Sequence, residues 1–442
     1  MNSATMKKQP DMLDSVLILL FLTGIYMEVA LNLSPTVPIP NIIAAVAGFT
    51  MLLRHPDWVE ERQLVALLTV VFLFLFSVLC AAELSFLKKR LTGLVQLTYS
   101  LVLGYGFFIV AVRYNRDRLG RLFLLFCLFI IVGTALENYT GFRAISDTVR
   151  EHVYNFGVYN ADARDQLLYG RIRPKLFTSE PSAVTFAFAL FSLLWYLLST
   201  WRWKIVAYVA LIAIGYFLMR GPTLLLGLIL VGPCEIFQKT PRSQGAGALS
   251  QKAMLGFLSV ILLALASWAV TSLYAERFND IMQGSDPSFF YREIGPALAA
   301  FDSIANHPLT GIGLTGEDVF GDRLVQIFSQ SSAFDPAWPM DGNAKSLNNY
   351  FWLHWTYLGL GWGLVMIAAM SWYLKRLGTQ NALLCWIVWA VFGQASGAYV
   401  SPKPWAVLMF ACVATVLRYR QTVTARQPVS SPAPSPARKA YA

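Results

Sequence analysis

Four clusters of polar side chains interrupt an otherwise apolar sequence. The first is Arg171-Ile172-Arg173-Pro174-Lys175, running on to Ser179-Glu180-Pro181-Ser182, and the second is Arg220-Gly221-Pro222-Thr223. The third is Tyr291-Arg292-Glu293 followed by His307-Pro308-Leu309-Thr310-Gly311-Ile312-Gly313, and the fourth is Lys345-Ser346-Leu347-Asn348-Asn349-Tyr350 with His354 beyond it. Guanidinium groups are planar bidentate donors that match phosphate oxygens, and aromatic faces match sugar rings. A carboxylate or an imidazole within reach can take the proton of a hydroxyl. Glu180 and His354 are the candidate bases. Arg171, Arg173, Arg220, Arg292, His307, Lys345, Asn348, Asn349 and Tyr350 are the candidate binding groups, a set that suits a sugar donor joined through pyrophosphate.

Each cluster also has a simpler reading. Glu180 just before Pro181 is where a helix start favours a carboxylate, so the motif can be a plain cap flanked by snorkelling arginines. Arg220 near a bilayer boundary is either an anchor or a cation in want of an anionic partner. A histidine inside a membrane helix is a functional candidate by its cost, yet a hydrogen-bonded packing role for His354 fits equally.

Other chemistry finds no support. There is no GxxxxGK[ST] phosphate loop, which argues against ATP hydrolysis. Gly311-Ile312-Gly313-Leu314-Thr315-Gly316 matches GxGxxG in letters but follows His307-Pro308 in a loop, whereas a dinucleotide site needs a strand before it and a helix after it. His55, His152, His307 and His354 form no HExxH motif, and the five cysteines lie singly in apolar runs. No metal, cofactor or disulfide framework is expected. A net charge of +10 without a basic and aromatic module is no sign of nucleic-acid binding.

The elements that must hold these clusters are membrane helices. Of the 442 residues 56% are hydrophobic and 14% charged, where soluble domains carry about 25% charged residues. Apolar runs predict about twelve spans, near 13–33, 38–53, 64–83, 91–112, 119–138, 180–199, 204–220, 222–237, 253–274, 348–373, 381–399 and 404–418. The first run lacks a small-residue cleavage site and reads as a retained span. With a cytoplasmic N-terminus, twenty Lys and Arg fall on inner connections and tail, against five on short outer connections: Lys88, Lys89, Arg90, Arg220 and Lys403. That is the bias of the positive-inside rule, so both termini are expected in the cytoplasm. Two long outer loops remain, about 139–178 and 275–347, and all four clusters face that side. Within the second, Phe290, Ile294, Leu298, Phe301 and Ile304 are spaced for an amphipathic helix, lying along the membrane surface or capping the bundle. Residues 1–426 form one transmembrane domain, and the Pro-, Ser- and Ala-rich 427–442 should be a disordered cytoplasmic tail.

Taken in order, the motifs resemble the bacterial O-antigen polymerase and O-antigen ligase superfamily. Arg292, the His307–Gly313 string, the Asn-rich helix opening at Asn348-Asn349, the Glu180-Pro181-Ser182 helix start and Arg220-Gly221-Pro222-Thr223 carry the likeness, over most of residues 165–365. Many members, ligases above all, show His-Asn where this chain has Asn348-Asn349, so the histidine proposed as base in ligases is not matched. His354 lies six residues deeper. The Glu-Pro-Ser motif is similar to that of polysaccharide polymerases. The resemblance implies an all-α, multi-span glycosyltransferase of the C superfamily type in the bacterial inner membrane. It would use undecaprenyl-pyrophosphate-linked oligosaccharide as donor and acceptor at the periplasmic face, with a chain-length regulator protein as a partner, and no metal. Ligation to lipid A core, or transport of a polyprenyl-linked sugar, are the alternatives. The absence of an internal repeat and the outer position of the charges favour an enzyme over a transporter.

Overall fold

The computed structural model describes residues 9–34, 37–81, 83–154, 158–237, 264, 275–284, 286–334, 346–395 and 397–424. The ninth expected span, apart from residue 264, as well as Lys345 and the 427–442 tail, lie outside them. Among the described residues the only sheet is a small hairpin of β1 (Leu31–Ser34) and β2 (Val37–Ile39). All else that is regular is helical.

Helices occupy the other eleven expected segments: α1 (Met12–Met27), α2 (Ile42–Arg54), α3 (Glu61–Leu79), α4 (Leu87–Ala111), α5 (Arg116–Tyr139), α8 (Pro181–Leu198), α9 (Lys204–Met219), α10 (Leu224–Ile236), α13 (Tyr350–Arg376), α14 (Ala382–Gly393) and α15 (Pro402–Thr424). Five stretches, 61–79, 84–111, 116–139, 181–198 and 350–376, are long and apolar enough to cross a membrane, and five others are shorter apolar helices. This is the architecture of an all-α membrane protein. The first long loop carries two helices, α6 (Phe142–Val153) and α7 (Asp162–Tyr169). The second carries α11 (Ala275–Gln283) and α12 (Gly295–Asn306).

Local signals set several boundaries. Asp11 and Asp14 close a reciprocal capping box on α1, and the side chains of Asn115, Asn349 and Asn381 accept from the first amides of α5, α13 and α14. Pro181 starts α8, where its missing N–H costs nothing. Helix α8 is the central column, and every residue from Ala183 to Leu198 is buried.

Polar contacts sort the helix ends into two groups. At one end His55 Nε2 meets Asp14 Oδ1 at 2.8 Å, Arg116 donates to Leu197 O at 2.8 Å, Arg418 reaches Glu235 at 3.1 Å and Arg420 donates to Val112 O at 2.9 Å. At the other Asn138 donates to Leu218 O, Arg90 to Ile312 O and Asn349 to Arg292 O. All four chemical clusters gather at this second end.

The His307–Gly313 string has a mechanical place there. Helix α13 is broken at Gly359, which takes φ 60°, and the string is threaded through the break. Ile312 N and Gly313 N donate to the carbonyls of Thr356 and Tyr357, while Leu360 N and Trp362 N donate to the carbonyls of Pro308 and Leu309. The strap thereby satisfies the backbone groups that the break frees, as membrane-embedded backbone must. Ahead of it, the expected amphipathic helix runs as a π-helical turn, Phe290–Ile294, into α12. Its buried face is Phe290, Gly295, Pro296, Ala299, Ala300 and Ser303, and Phe301 faces outward at 58% exposure. The stripe read from bulky residues is therefore only partly the packed one. Ser303 Oγ donates to Thr356 O at 2.7 Å, a contact with broken α13 backbone that small residues permit.

Candidate functional site

Glu180 caps α8 in extended conformation, at the end of a segment clamped from several sides. The Glu137 carboxylate accepts from Lys175 N at 3.0 Å and Leu176 N at 2.7 Å. Leu176 and Phe177 both take positive φ, and Tyr26 and Tyr154 donate to their carbonyls. Arg150, fully buried, donates to Thr178 O at 2.6 Å, Ser179 O at 3.0 Å and Tyr159 O at 3.2 Å. Non-glycine residues in the left-handed region are strained, and such strain persists only where surrounding contacts over-determine it. The consequence is a fixed position for Glu180.

Two cavities meet at this residue; Glu180 and Ser182 line both, and Glu180 is the one charged group they share. The wider, about 410 Å³, is also lined by Glu28, Asn32, Tyr154, Asn348 and Lys403. The narrower, about 70 Å³, is lined by Arg164, Arg173, Arg292, Tyr159, Tyr169 and Thr223. Arg292 Nη2 lies 3.3 Å from Glu180 Oε2. Burial pushes the Glu180 carboxyl up, but Arg292 first, then Ser182, Lys403 and Arg173, outweigh it and hold it below the ordinary carboxylate range. It is a carboxylate at neutral pH.

Arg173 is held ready rather than free. Its guanidinium pairs with the fully buried Asp165 at 2.8 Å and lies over the rings of Tyr169 at 4.2 Å and Tyr159 at 5.8 Å. The narrow cavity thus sets three guanidiniums against one carboxylate in its lining, an environment for an anion with several oxygens.

The remaining sequence candidates divide by place. Asn348 reaches the wide cavity, and Asn349, buried at the start of α13, donates from its carboxamide to Arg292 O at 2.8 Å and Gln394 Oε1 at 3.1 Å. It steadies the backbone that carries Arg292. Arg171 donates to Phe217 O and lies over the Phe217 ring, and Arg220, itself at φ 48°, donates to Tyr169 O. Both tie the first long loop to the end of α9, outside the two cavities, while Gly221, Pro222 and Thr223 of the same motif line the narrow one. His307 lines neither cavity and belongs to the strap. Tyr350 is buried and donates to Trp389 O at 2.8 Å.

His354 is 2% exposed among Trp355, Trp389 and Tyr399. Its Nε2 lies 3.1 Å from Gly363 O, which can only accept, so Nε2 carries the proton and Nδ1 accepts from Tyr399 Oη at 3.0 Å. Both ring nitrogens are committed, and His354 lines neither of the two cavities at Glu180.

Sequence reasoning missed Glu28, Lys403, Asp165, Glu137 and Arg150. Glu137 carried a signal, since it is a charge near the end of an apolar run. No group of three or more metal-ligating side chains occurs among the described residues. No protein-family model matches the chain, and no curated protein does.

Proposed function

We propose that the protein is a membrane glycosyltransferase that polymerises undecaprenyl-pyrophosphate-linked oligosaccharide repeat units at the periplasmic face of the bacterial inner membrane, with both termini cytoplasmic and about twelve spans. The observation that carries this reading is the single carboxylate shared by two cavities, one of them rich in guanidinium groups. The diphosphate of the donor would lie against Arg164, Arg173 and Arg292. Glu180 would take the proton from an acceptor hydroxyl as its oxygen attacks the anomeric carbon. The bond from that carbon to the diphosphate oxygen breaks, and the electron pair leaves with undecaprenyl diphosphate, whose charge the arginines steady. Direct displacement of this kind inverts the anomeric centre.

The Arg292 contact fits such a cycle. While paired, Glu180 is a weak base. A diphosphate that draws Arg292 toward itself removes the cation from Glu180 and raises its basicity when the donor is in place.

The test is Glu180→Gln in the producing cell and in the purified full chain. Chain extension should fall at least about a hundredfold, the scale of losing a general base, with protein level unchanged. Long chains from that variant would refute the assignment. Deletion of the whole protein should leave single repeat units on the lipid core, whereas lipid-linked polymer beside naked core would mark a ligase instead.

A further inference from the structure

We infer that the wide cavity beside Glu180 is the seat of the acceptor's terminal sugar, an uncharged polyhydroxylated ring, and that the Lys403–Glu28 pair is what grips it. The inference rests on the glycosyl-transfer reading above and adds a second substrate site with its own recognition chemistry.

The pair is oddly placed for a structural ion pair. Glu28 ends α1 in the left-handed conformation at φ 56°, and Lys403 lies in the first turn of α15. A carboxylate at a helix C-terminus and a cation at a helix N-terminus each oppose the helix dipole. The Glu28 side chain stays 32% exposed, so the desolvation falls mostly on the Lys403 ammonium, and half-open pairs of this kind add little to stability. Yet Lys403 is 7% exposed, bonds Glu28 Oε1 and lies 4.1 Å over the Phe186 ring. A pair that adds little to stability yet lines a cavity is suited to serve a ligand.

Charge separates the two cavities. Around the narrow one guanidinium charge dominates, which fits a diphosphate. In the wide one Lys403 is matched by Glu28, so no net cation remains for a phosphate. What remains is a donor beside an acceptor, the complement of two neighbouring hydroxyls, with the carboxamides of Asn32 and Asn348 and the Ser182 hydroxyl on the same walls. A volume of about 410 Å³ is within the usual range of small-molecule sites. A ring in this cavity would reach Glu180 without entering the cavity that the arginines line, which leaves that one to the donor.

The experiment separates acceptor from donor. Water-soluble repeat oligosaccharide, released from its lipid by mild acid, has no diphosphate and can act only as acceptor. It is titrated against a fixed amount of lipid-linked repeat unit with the purified full chain. Lys403→Met with Glu28→Gln removes both charges together and leaves neither unpaired. The double variant should raise the KM for the soluble acceptor about tenfold or more, the scale of losing charged hydrogen bonds. Binding of undecaprenyl diphosphate, which carries no sugar and fits only the guanidinium-lined cavity, should stay unchanged. Asn32→Trp, which fills the mouth of the cavity without touching the ion pair, should do the same. An unchanged acceptor KM in both variants, with Glu180→Gln still inactive, would overturn this inference alone. Activity surviving in Glu180→Gln would overturn the glycosyl-transfer reading beneath it.

Discussion

At the scale of single residues, two neighbouring glutamates are held in opposite states. Glu180 has Arg292 at 3.3 Å and stays below the usual carboxylate range. Glu293, the next residue after Arg292, is pushed up to about 8 because burial outweighs the pull of Arg292, and the Asn349 carboxamide lies 3.3 Å from it. A carboxyl raised from 4.5 to about 8 holds its proton longer in the folded chain than in the unfolded one. Stability from this group is therefore complete below about pH 4.5, declines as pH rises and is lost above pH 8. Glu293→Gln keeps the shape and removes the titration, so thermal unfolding of the detergent-solubilised variant should vary less between pH 5 and 9 and come at higher temperature at the alkaline end. Superimposable pH curves would show that Glu293 ionises normally. Glu180, Arg173, Arg292 and Asn348, which line the two cavities, stood out in the sequence as candidates because each lies in a short polar motif. Lys403 and Glu28 were not, because they stand 375 residues apart and neither belongs to a motif. Arg171 and Arg220 read like phosphate ligands, and each also bonds a backbone carbonyl, which an arginine's sequence neighbours cannot foretell.

At the scale of elements, apolar length and caps located the helices well, since a membrane helix must satisfy its own backbone and therefore writes its extent into some twenty apolar residues. The strap, which reads as motif chemistry in the sequence, is held by backbone hydrogen bonds in the break of α13. Nothing local announces that Gly311 will sit against Gly359, because the partners lie 48 residues apart and meet only in the folded chain. A Cβ on Gly359 would lie 2.7 Å from both Gly311 N and His307 O, and one on Gly311 would lie 2.5 Å from Gly359 N. Both glycines have positive φ, at 60° and 59°. Gly359→Ala should then cost about 3 kcal/mol or more, through backbone strain together with a collision that no rotamer relieves. Gly141→Ala is the control: no other group lies within 4 Å of its Cβ, so thermal unfolding should stay close to wild type. Equal melting of the two variants would mean that the strap can leave the break without penalty. Because Asn349 on the same helix supports the Arg292 backbone, Gly359→Ala should also lower activity, although it lies outside both cavities.

At the scale of the whole molecule, the two sets of helix ends differ in what they are made of. One carries Arg54, Arg113, Arg116, Arg118 and Arg420 near the chain's ordinary loops, and the other carries the two helical loops, the strap and both cavities. The charge bias assigns the first set to the cytoplasm, and a glycan-building site would then open to the periplasm, where lipid-linked repeat units are consumed. Thiol labelling reads this sidedness directly. The native Cys80 is exposed at the cavity-bearing end, and the other four cysteines are buried, so Cys80→Ser gives a quiet background. Cysteine placed at Gly141, between α5 and α6, should react with a membrane-impermeant maleimide in cells whose outer membrane has been permeabilised. Cysteines at Asp57, between α2 and α3, and at Gln380, between α13 and α14, are equally exposed and should react only after the inner membrane is opened. Native Cys80 supplies an internal check, since it should label with Gly141→Cys and not with the other two. Labelling of Asp57→Cys and Gln380→Cys in sealed cells, with Gly141→Cys silent, would turn the molecule over. The carboxylate and its arginines would then face the cytoplasm, where nucleotide sugars and not lipid-linked oligomers are the common donors, and polymerisation would no longer be the reading that the two cavities support.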